Sequence, residues 1–405
     1  MKWVLKEAKN GEYALQLNKI AIYSMYQPSE GAKRWINAEI NYQSESYFMI
    51  GLGLGYHLKS LIECTIEKKI TVFYFEKREL ELFLQLHQNE MWWQQERVQI
   101  VDQLNNNWTY TTNTQILFPN VWLQAIGLNH PLFHILDIIK NNQIAYKKYS
   151  KQMLENFNAN LKLKDGFIYT MSSKKIACLV AAGPSLDETI YWLKEKRDNI
   201  AIYAVGAVLK KLLAFGIEPD AIIISDSNNI IQKQLQESNY EGELFYLSTA
   251  NHETVKIHNG KRYILFQKGY RLAEEQAIAN GYPIIETGGS VATTTFSLLE
   301  LLGYEYIVLF GQDLGFEGNK SHAVNTISKL LASEKNNRLI EANNGSKINT
   351  TSNLFAFLHW YNIKMEEMEI NVFNTADKGA KIHNVPYINK EEFIKLIKRI
   401  EMEHE

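Results

Sequence analysis

Beyond residue 175 the chain alternates between short apolar runs and segments whose apolar residues recur three or four positions apart. The runs are IACLV (176–180), NIAIYAVG (199–206), DAIIISD (220–226), ELFYLST (243–249), RYILFQ (262–267) and YIVLFGQD (306–313). Continuous runs of this length, rich in β-branched and aromatic residues, predict strands buried on both faces. Between them LDETIYWLKEK, AVLKKLLAFG and VATTTFSLLELLG carry helical spacing, the second closed by Gly216 as a C-terminal cap. The alternation predicts an α/β domain built on a doubly wound, Rossmann-like parallel sheet. Ligands of such sheets sit at the carboxyl ends of the strands. Gly183–Leu186, Ser225–Asn229 and Gln312–Asp313 fall there, whereas TGGSVATT (287–294) opens a helix.

The N-terminal part repeats the theme on a smaller scale. Residues 1–45 read as short alternating strands and turns. YFMIGLGLGYHLKSLIE (47–63) then gives a strand, a turn with Gly51, Gly53 and Gly55, and a helix; ITVFYFE (70–76) is a second strand ending at Glu76. Strand, GxGxG, helix, strand and acid form the pattern of a nucleotide-binding unit, with the acid placed to meet a ribose. The same stretch is similar to the first two motifs of S-adenosylmethionine-dependent methyltransferases. Leu58 stands where the dinucleotide form has its third glycine. A cofactor turn and a purely structural turn are both open readings. Residues 88–115 are polar, aromatic and rich in Asn and Gln, with one strand at Val98–Val101; residues 132–163 read as a long helix with a solvated Lys-rich face.

Composition narrows the class. A chain of 405 residues is long enough for two domains. With 46% hydrophobic and 22% charged residues it is an ordinary globular protein, and a net charge of −2 gives no electrostatic reason to expect nucleic acid. Two cysteines, Cys64 and Cys178, cannot build a disulfide framework and suit a reducing compartment. No signal-peptide-like run opens the chain and no stretch has the roughly 18 consecutive apolar residues of a membrane span. A cytoplasmic protein without membrane insertion is expected.

Four segments, in order, carry a resemblance: GPSL (183–186), GIEPDAIIISDSN (216–228), TGGSVATTTFSLLELLGY (287–304) and GQDLGF (311–316). Together they resemble the motility accessory factor (Maf) family of flagellin glycosyltransferases, whose central domain is similar to bacterial sialyltransferases that use CMP-sialic acid. SHA (321–323), GSKINTTSNLFAFLHWY (345–361) and NTADKGAKI (374–382) extend it, as does GLGLGYHL in the N-terminal part. Two departures stand out: SDS at 225–227 replaces an acid followed by proline, and Lys378 replaces a glycine. The resemblance implies four parts: an N-terminal α/β domain (1–130), a helical connector (131–165), a nucleotide-sugar-binding, sialyltransferase-like domain (166–330) and a C-terminal helical extension completing it (331–405).

It further implies a transferase moving a nonulosonic acid, pseudaminic or legionaminic in type, from a CMP-activated donor to Ser or Thr of flagellin. Such chemistry needs donors for the departing phosphate, contacts to cytosine and ribose, and a base for the acceptor hydroxyl. The turn of Gly183, Pro184, Ser185 and Leu186 is expected at the phosphate, through the amides around Gly183–Ser185 and the Ser185 hydroxyl. Thr287, Gly288, Gly289, Ser290, Val291 and Thr293 form a second anion site at a helix start. Asp226 and Ser227 are expected at the ribose, Gln312 and Asp313 in the cleft, and His322 as general base, with Asp313 as its catalytic companion. No metal is expected, although one acid beside a phosphate can hold Mg²⁺. Two alternatives remain: a pyrophosphokinase acting on a hydroxymethylpterin with ATP and Mg²⁺, and a flagellin-binding chaperone without activity. The aromatic stripe of 353–368 and the amphipathic 391–405 read as core-facing helices.

Overall fold

Each of the six apolar runs is a strand in the computed structural model, because both faces of these segments are shielded by packed side chains. The structure describes residues 1–103, 114–127, 130–167, 175–195, 197–316, 322–324, 326 and 338–402. Ser321 of the SHA motif lies outside the described residues. The chain divides into two units, Met1–Asn141 and Asn142–Glu405.

In the first unit, β1 (Trp3–Glu7), β2 (Tyr13–Leu17) and β3 (Ile20–Ala21) form an antiparallel sheet in that order, followed by α1 (Pro28–Glu39). A four-stranded parallel sheet, order β6-β5-β4-β7, is built from β4 (Ser46–Ile50), β5 (Lys69–Phe73), β6 (Val98–Val101) and β7 (Thr114–Leu117). Its helices are α2 (Tyr56–Cys64), α3 (Lys77–His87) and α4 (Val121–Ile126). The glycine turn after β4 is filled by the protein itself. Gly51 and Gly53 have φ of 93° and 55°, and a Cβ on them would lie 2.2 Å from the Trp122 indole and 2.3 Å from the Tyr23 hydroxyl. The Gly53 amide donates to Glu79 Oε1 at 2.6 Å, and the Phe75 amide to Glu79 Oε2 at 2.6 Å. Burial pushes the Glu79 carboxyl up to about 8 against the pull of these bonds. Glu76, the residue expected at a ribose, instead accepts from the Trp3 indole. Aromatic packing accounts for the glycines, which supports the structural reading of this turn.

The division falls within α5 (Phe133–Leu161), whose later part belongs to the second unit. There Asn156 donates to the carbonyls of Ser227 and Thr249, and Asn160 to those of Ser248 and Ala250. These buried amides satisfy carbonyls just past two strand ends, where a buried loop has no ladder partner. The sheet is eight-stranded, order β13-β12-β11-β10-β9-β8-β14-β17, and every pairing is parallel. In chain order come β8 (Ile176–Val180), α6 (Leu186–Thr189), β9 (Ile200–Val205), α7 (Leu209–Ala214), β10 (Ala221–Ile224), α8 (Gln232–Leu235) and β11 (Glu243–Leu247). There follow α9 (His252–Lys256), β12 (Arg262–Gln267), α10 (Arg271–Asn280), β13 (Ile284–Ile285), α11 (Val291–Leu301) and β14 (Tyr306–Phe310). The sheet grows from β8 toward β13, and α11 then returns the chain to place β14 on the other side of β8. That reversal is the topological switch point, where ligands of open α/β sheets bind.

Three expectations need correction. Residues 1–45 are not strands and turns alone, since α1 occupies 12 of them with Pro28 at its first turn and buries Ala32 and Ile36. LDETIYWLKEK is not one helix: α6 has four residues and continues as a 3-10 segment, Ile190–Lys194. Residues 331–405 are not purely helical. Besides α12 (Ser352–Glu367) and α13 (Lys390–Met402), they hold the hairpin of β15 (Arg338–Glu341) and β16 (Lys347–Thr350), and β17 (Asn371–Asn374). β17 is the edge strand beside β14; as an edge it needs only two apolar residues, Val372 and Phe373, and so lacks the long apolar run of the interior strands.

Candidate functional site

A cavity of about 290 Å³ opens at the carboxyl ends of β8, β9, β10 and β14, on the switch point. Gly183 after β8, Gly206 after β9, Ser225 and Asp226 after β10, and Gln312 and Asp313 after β14 all line it. Ser290, Val291 and Ala292, at the start of α11, close one side together with Leu354 and Phe357 of α12. His322 lines it as well. The segments 183, 226, 290–291, 312–313 and 322, far apart in the chain, therefore meet at one cavity.

Asp313 is the most constrained of these groups. It is 6% exposed, and its carboxylate accepts from the Ser185 amide at 3.1 Å and from the Ser185 hydroxyl at 2.8 Å. Burial pushes it up to about 7, the Ser185 bonds pulling the other way. Its backbone is fixed by the NTADKGA stretch: the Ala380 amide donates to the Asp313 carbonyl at 2.6 Å, and a Cβ on Gly379 would come within 3.1 Å of the Asp313 Cα. A Cβ on Gly183 would lie 2.0 Å from Asp313 Oδ2, so only glycine lets this carboxylate reach the β8 turn.

This geometry corrects the role expected of GPSL. The Gly183 amide donates to the Gly311 carbonyl at 2.7 Å, and the Ser185 amide and hydroxyl hold Asp313. The Leu186 amide donates to the Gly183 carbonyl, and Pro184 has none. The amides expected at a phosphate are engaged within the protein, and α6 is a single turn with little dipole. Ser185 and Pro184 do not line the cavity, and Leu186 is buried beneath it.

The α11 terminus is closed by a reciprocal cap. Ser290 is the N-cap, accepting from the Thr293 amide at 3.0 Å, while its own amide donates to Thr293 Oγ1 at 3.0 Å. This reciprocal capping box satisfies the third helical amide and leaves the first two, of Val291 and Ala292, without an intrahelical partner. Both residues line the cavity, so an anion can be met there. Thr293 is fully buried and serves the cap; Thr287 accepts from Thr293 with its carbonyl. Gly288 and Gly289 have φ of 52° and 91°, and a Cβ on them would meet Trp360 at 2.7 Å and Phe357 at 3.2 Å. These three residues shape the turn behind the cavity wall.

At β10, Asp226 is exposed and accepts from the Asn228 amide at 2.8 Å, an Asx turn that aims its carboxylate along the strand end. Ser227 is buried, and its carbonyl accepts from Asn156. Gln312 is 5% exposed, lines the cavity, and its Oε1 has no hydrogen-bond partner among the described residues. His322 is half-buried, and burial holds its imidazole below the usual 6.5, hence neutral at pH 7. Among the described residues there is no group of three or more His, Cys, Asp or Glu side chains suited to a metal, and no helix long and apolar enough to cross a membrane.

Sequence reasoning missed Gly206, Gln234, Leu354 and Phe357, which also line the cavity. Gly206 was findable: it ends an apolar strand as Gly183 does, and a Cβ there would lie 2.4 Å from Gln234 Oε1. Phe357 belongs to an aromatic stripe whose other members pack on the core, and periodicity does not separate the two uses.

Residues 151–319 match the family model described as 6-hydroxymethylpterin diphosphokinase MptE-like. No curated protein matches the chain. Among solved structures it is similar to the MAf glycosyltransferase from Magnetospirillum magneticum AMB-1, at 16% identity and a TM-score of 0.51, over 96% of this chain and 71% of that one. The resemblance first carried by GPSL, GGSVATT and GQDL thus extends to the fold, which this chain shares with that glycosyltransferase along nearly its whole length.

Proposed function

We propose that the protein is a glycosyltransferase that moves a nonulosonic acid, pseudaminic or legionaminic in type, from a CMP-activated donor to Ser or Thr hydroxyls of flagellin in the cytoplasm. The observation that carries this reading is the single cavity that gathers the α11 amides, buried Asp313 and neutral His322 at the switch point. The likeness to a MAf glycosyltransferase supports the same reading. The Val291 and Ala292 amides meet the donor's phosphate or carboxylate; among the described residues no lysine or arginine lines the cavity. The acceptor oxygen attacks the anomeric carbon, the bond from that carbon to the phosphate oxygen breaks, and CMP leaves with the electron pair. His322 takes the hydroxyl proton. Asp313, whose carboxyl burial pushes up to about 7, can in its protonated form donate to the departing phosphate. No metal is needed for these steps.

The test is intact-mass measurement of flagellin after incubation with the protein and CMP-pseudaminic or CMP-legionaminic acid. A mass increase of whole sugar residues is expected, slowed to a residual rate with His322→Gln while CMP still binds. Unmodified flagellin with both donors contradicts the reading. A second reading, diphosphate transfer from ATP and Mg²⁺ to a hydroxymethylpterin, is favoured by the family match of residues 151–319; formation of a pterin diphosphate would establish it.

A further inference from the structure

Three segments that follow neighbouring parallel strands meet beside the cavity: α6 after β8, α7 after β9, and residues 322–324 after β14. Lys211 of α7 is 6% exposed, which is unusual for a charge. Its Nζ donates to Asp187 Oδ1 of α6 at 2.5 Å and to the Val324 carbonyl at 2.8 Å. The Val324 amide in turn donates to both Asp187 oxygens, at 3.2 and 3.1 Å. One ion pair therefore holds both backbone polar groups of the residue two places after His322. Between them, the Ala323 amide donates to the Ala182 carbonyl at 2.9 Å, at the rim of the β8 turn. Neither Asp187 nor Lys211 lines the cavity, whereas His322 does.

We propose that Asp187 and Lys211 are positioning residues that clamp residues 322–324 so that the His322 imidazole stays in the cavity. The inference rests on the reading of His322 as the base. An ion pair with one buried partner, Lys211, and one that is 33% exposed, Asp187, adds little net stability, because desolvation of the lysine offsets the attraction. What this pair adds is direction. Asp187 accepts from the amide and Lys211 donates to the carbonyl of the same residue, so the peptide plane after Ala323 cannot rotate without breaking a charge-assisted bond. Without the pair, both groups of Val324 return to water, and the ring two residues earlier loses its fixed approach.

The test compares His322→Gln, the paired change Asp187→Asn with Lys211→Met, and all three together. Removing both charges at once avoids leaving the Lys211 charge buried alone. Transfer to flagellin is expected to fall about 100-fold in kcat for the paired variant, the scale of a small misplacement of a catalytic group, with donor KM unchanged. In the His322→Gln background the paired change should have no further effect. A kcat within threefold of wild type, or an equal additional loss in the His322→Gln background, overturns the clamp. Lys211→Arg, which keeps the charge and alters the reach, gives the same readouts should the paired variant unfold. Wild-type transfer by His322→Gln would refute the base assignment instead, and the clamp then stands or falls on an activity-independent signal. That signal is the NMR titration of the His322 ring, identified by its loss in His322→Gln. Asp226 and Asp313 share its cavity in every variant. The midpoint should lie below 6.5 in the wild type and rise to about the free-imidazole value in the paired variant; an unchanged midpoint overturns the clamp.

Discussion

Asp313→Asn isolates the charge of the buried acid without changing its shape. An asparagine can accept from the Ser185 amide with its Oδ1 and donate to the Ser185 hydroxyl oxygen with its Nδ2, but does not titrate. Burial raises the wild-type carboxyl from 3.8 to about 7, so the folded protein holds this proton more tightly than the unfolded chain. The stability this proton contributes is full below pH 3.8 and is lost progressively as pH rises to about 7. At about 1.36 kcal/mol per pH unit, the whole interval corresponds to about 4 kcal/mol, of which about 3 kcal/mol falls between pH 5 and 8. Urea unfolding of both proteins at pH 5, 6.5 and 8 reads this directly, because every other titrating group is common to the two. The variant should gain about 3 kcal/mol on the wild type across that range. A gap constant to within about 0.5 kcal/mol would show that Asp313 is ionised throughout and that the local electrostatic argument is wrong.

Other outcomes follow from single contacts. Ser290→Ala removes the N-cap of α11 and should lower stability by about 1 kcal/mol while weakening anion binding at the Val291 and Ala292 amides, read by urea unfolding and by CMP titration. Asn160→Ala leaves the Ser248 and Ala250 carbonyls and the His252 ring without this partner, and should cost about 3 kcal/mol in the same unfolding assay. Gly53→Ala forces a Cβ to within 2.3 Å of the Tyr23 hydroxyl at a φ of 55°, and should lower the thermal unfolding midpoint by several degrees. A Gly53→Ala protein as stable as wild type would reopen the possibility that the turn is shaped for a ligand.

The interior strands were legible because burial on both faces demands uninterrupted apolar runs, as in IACLV and DAIIISD. β17 was not, since an edge strand of four residues needs only Val372 and Phe373 to be apolar. At the site, strand-end position and residue type located Asp226, Gln312 and Asp313, and a helix-start signal located Ser290. The use of GPSL could not be read the same way. A small-residue turn after a strand suits a phosphate or an internal carboxylate equally, and Asp313, which occupies the turn, lies 128 residues away in sequence. The partners of Glu79 and Lys211 were hidden for the same reason: what fills a turn or neutralises a charge is decided by contacts between distant segments.

The central claim is that the cavity binds a CMP-linked donor, and calorimetric titration with CMP and with ATP, each with and without Mg²⁺, tests it most directly. CMP binding that needs no metal and is lost on changing Ser290 or Asp313 is the predicted result. ATP binding that requires Mg²⁺, with no heat from CMP, would contradict it.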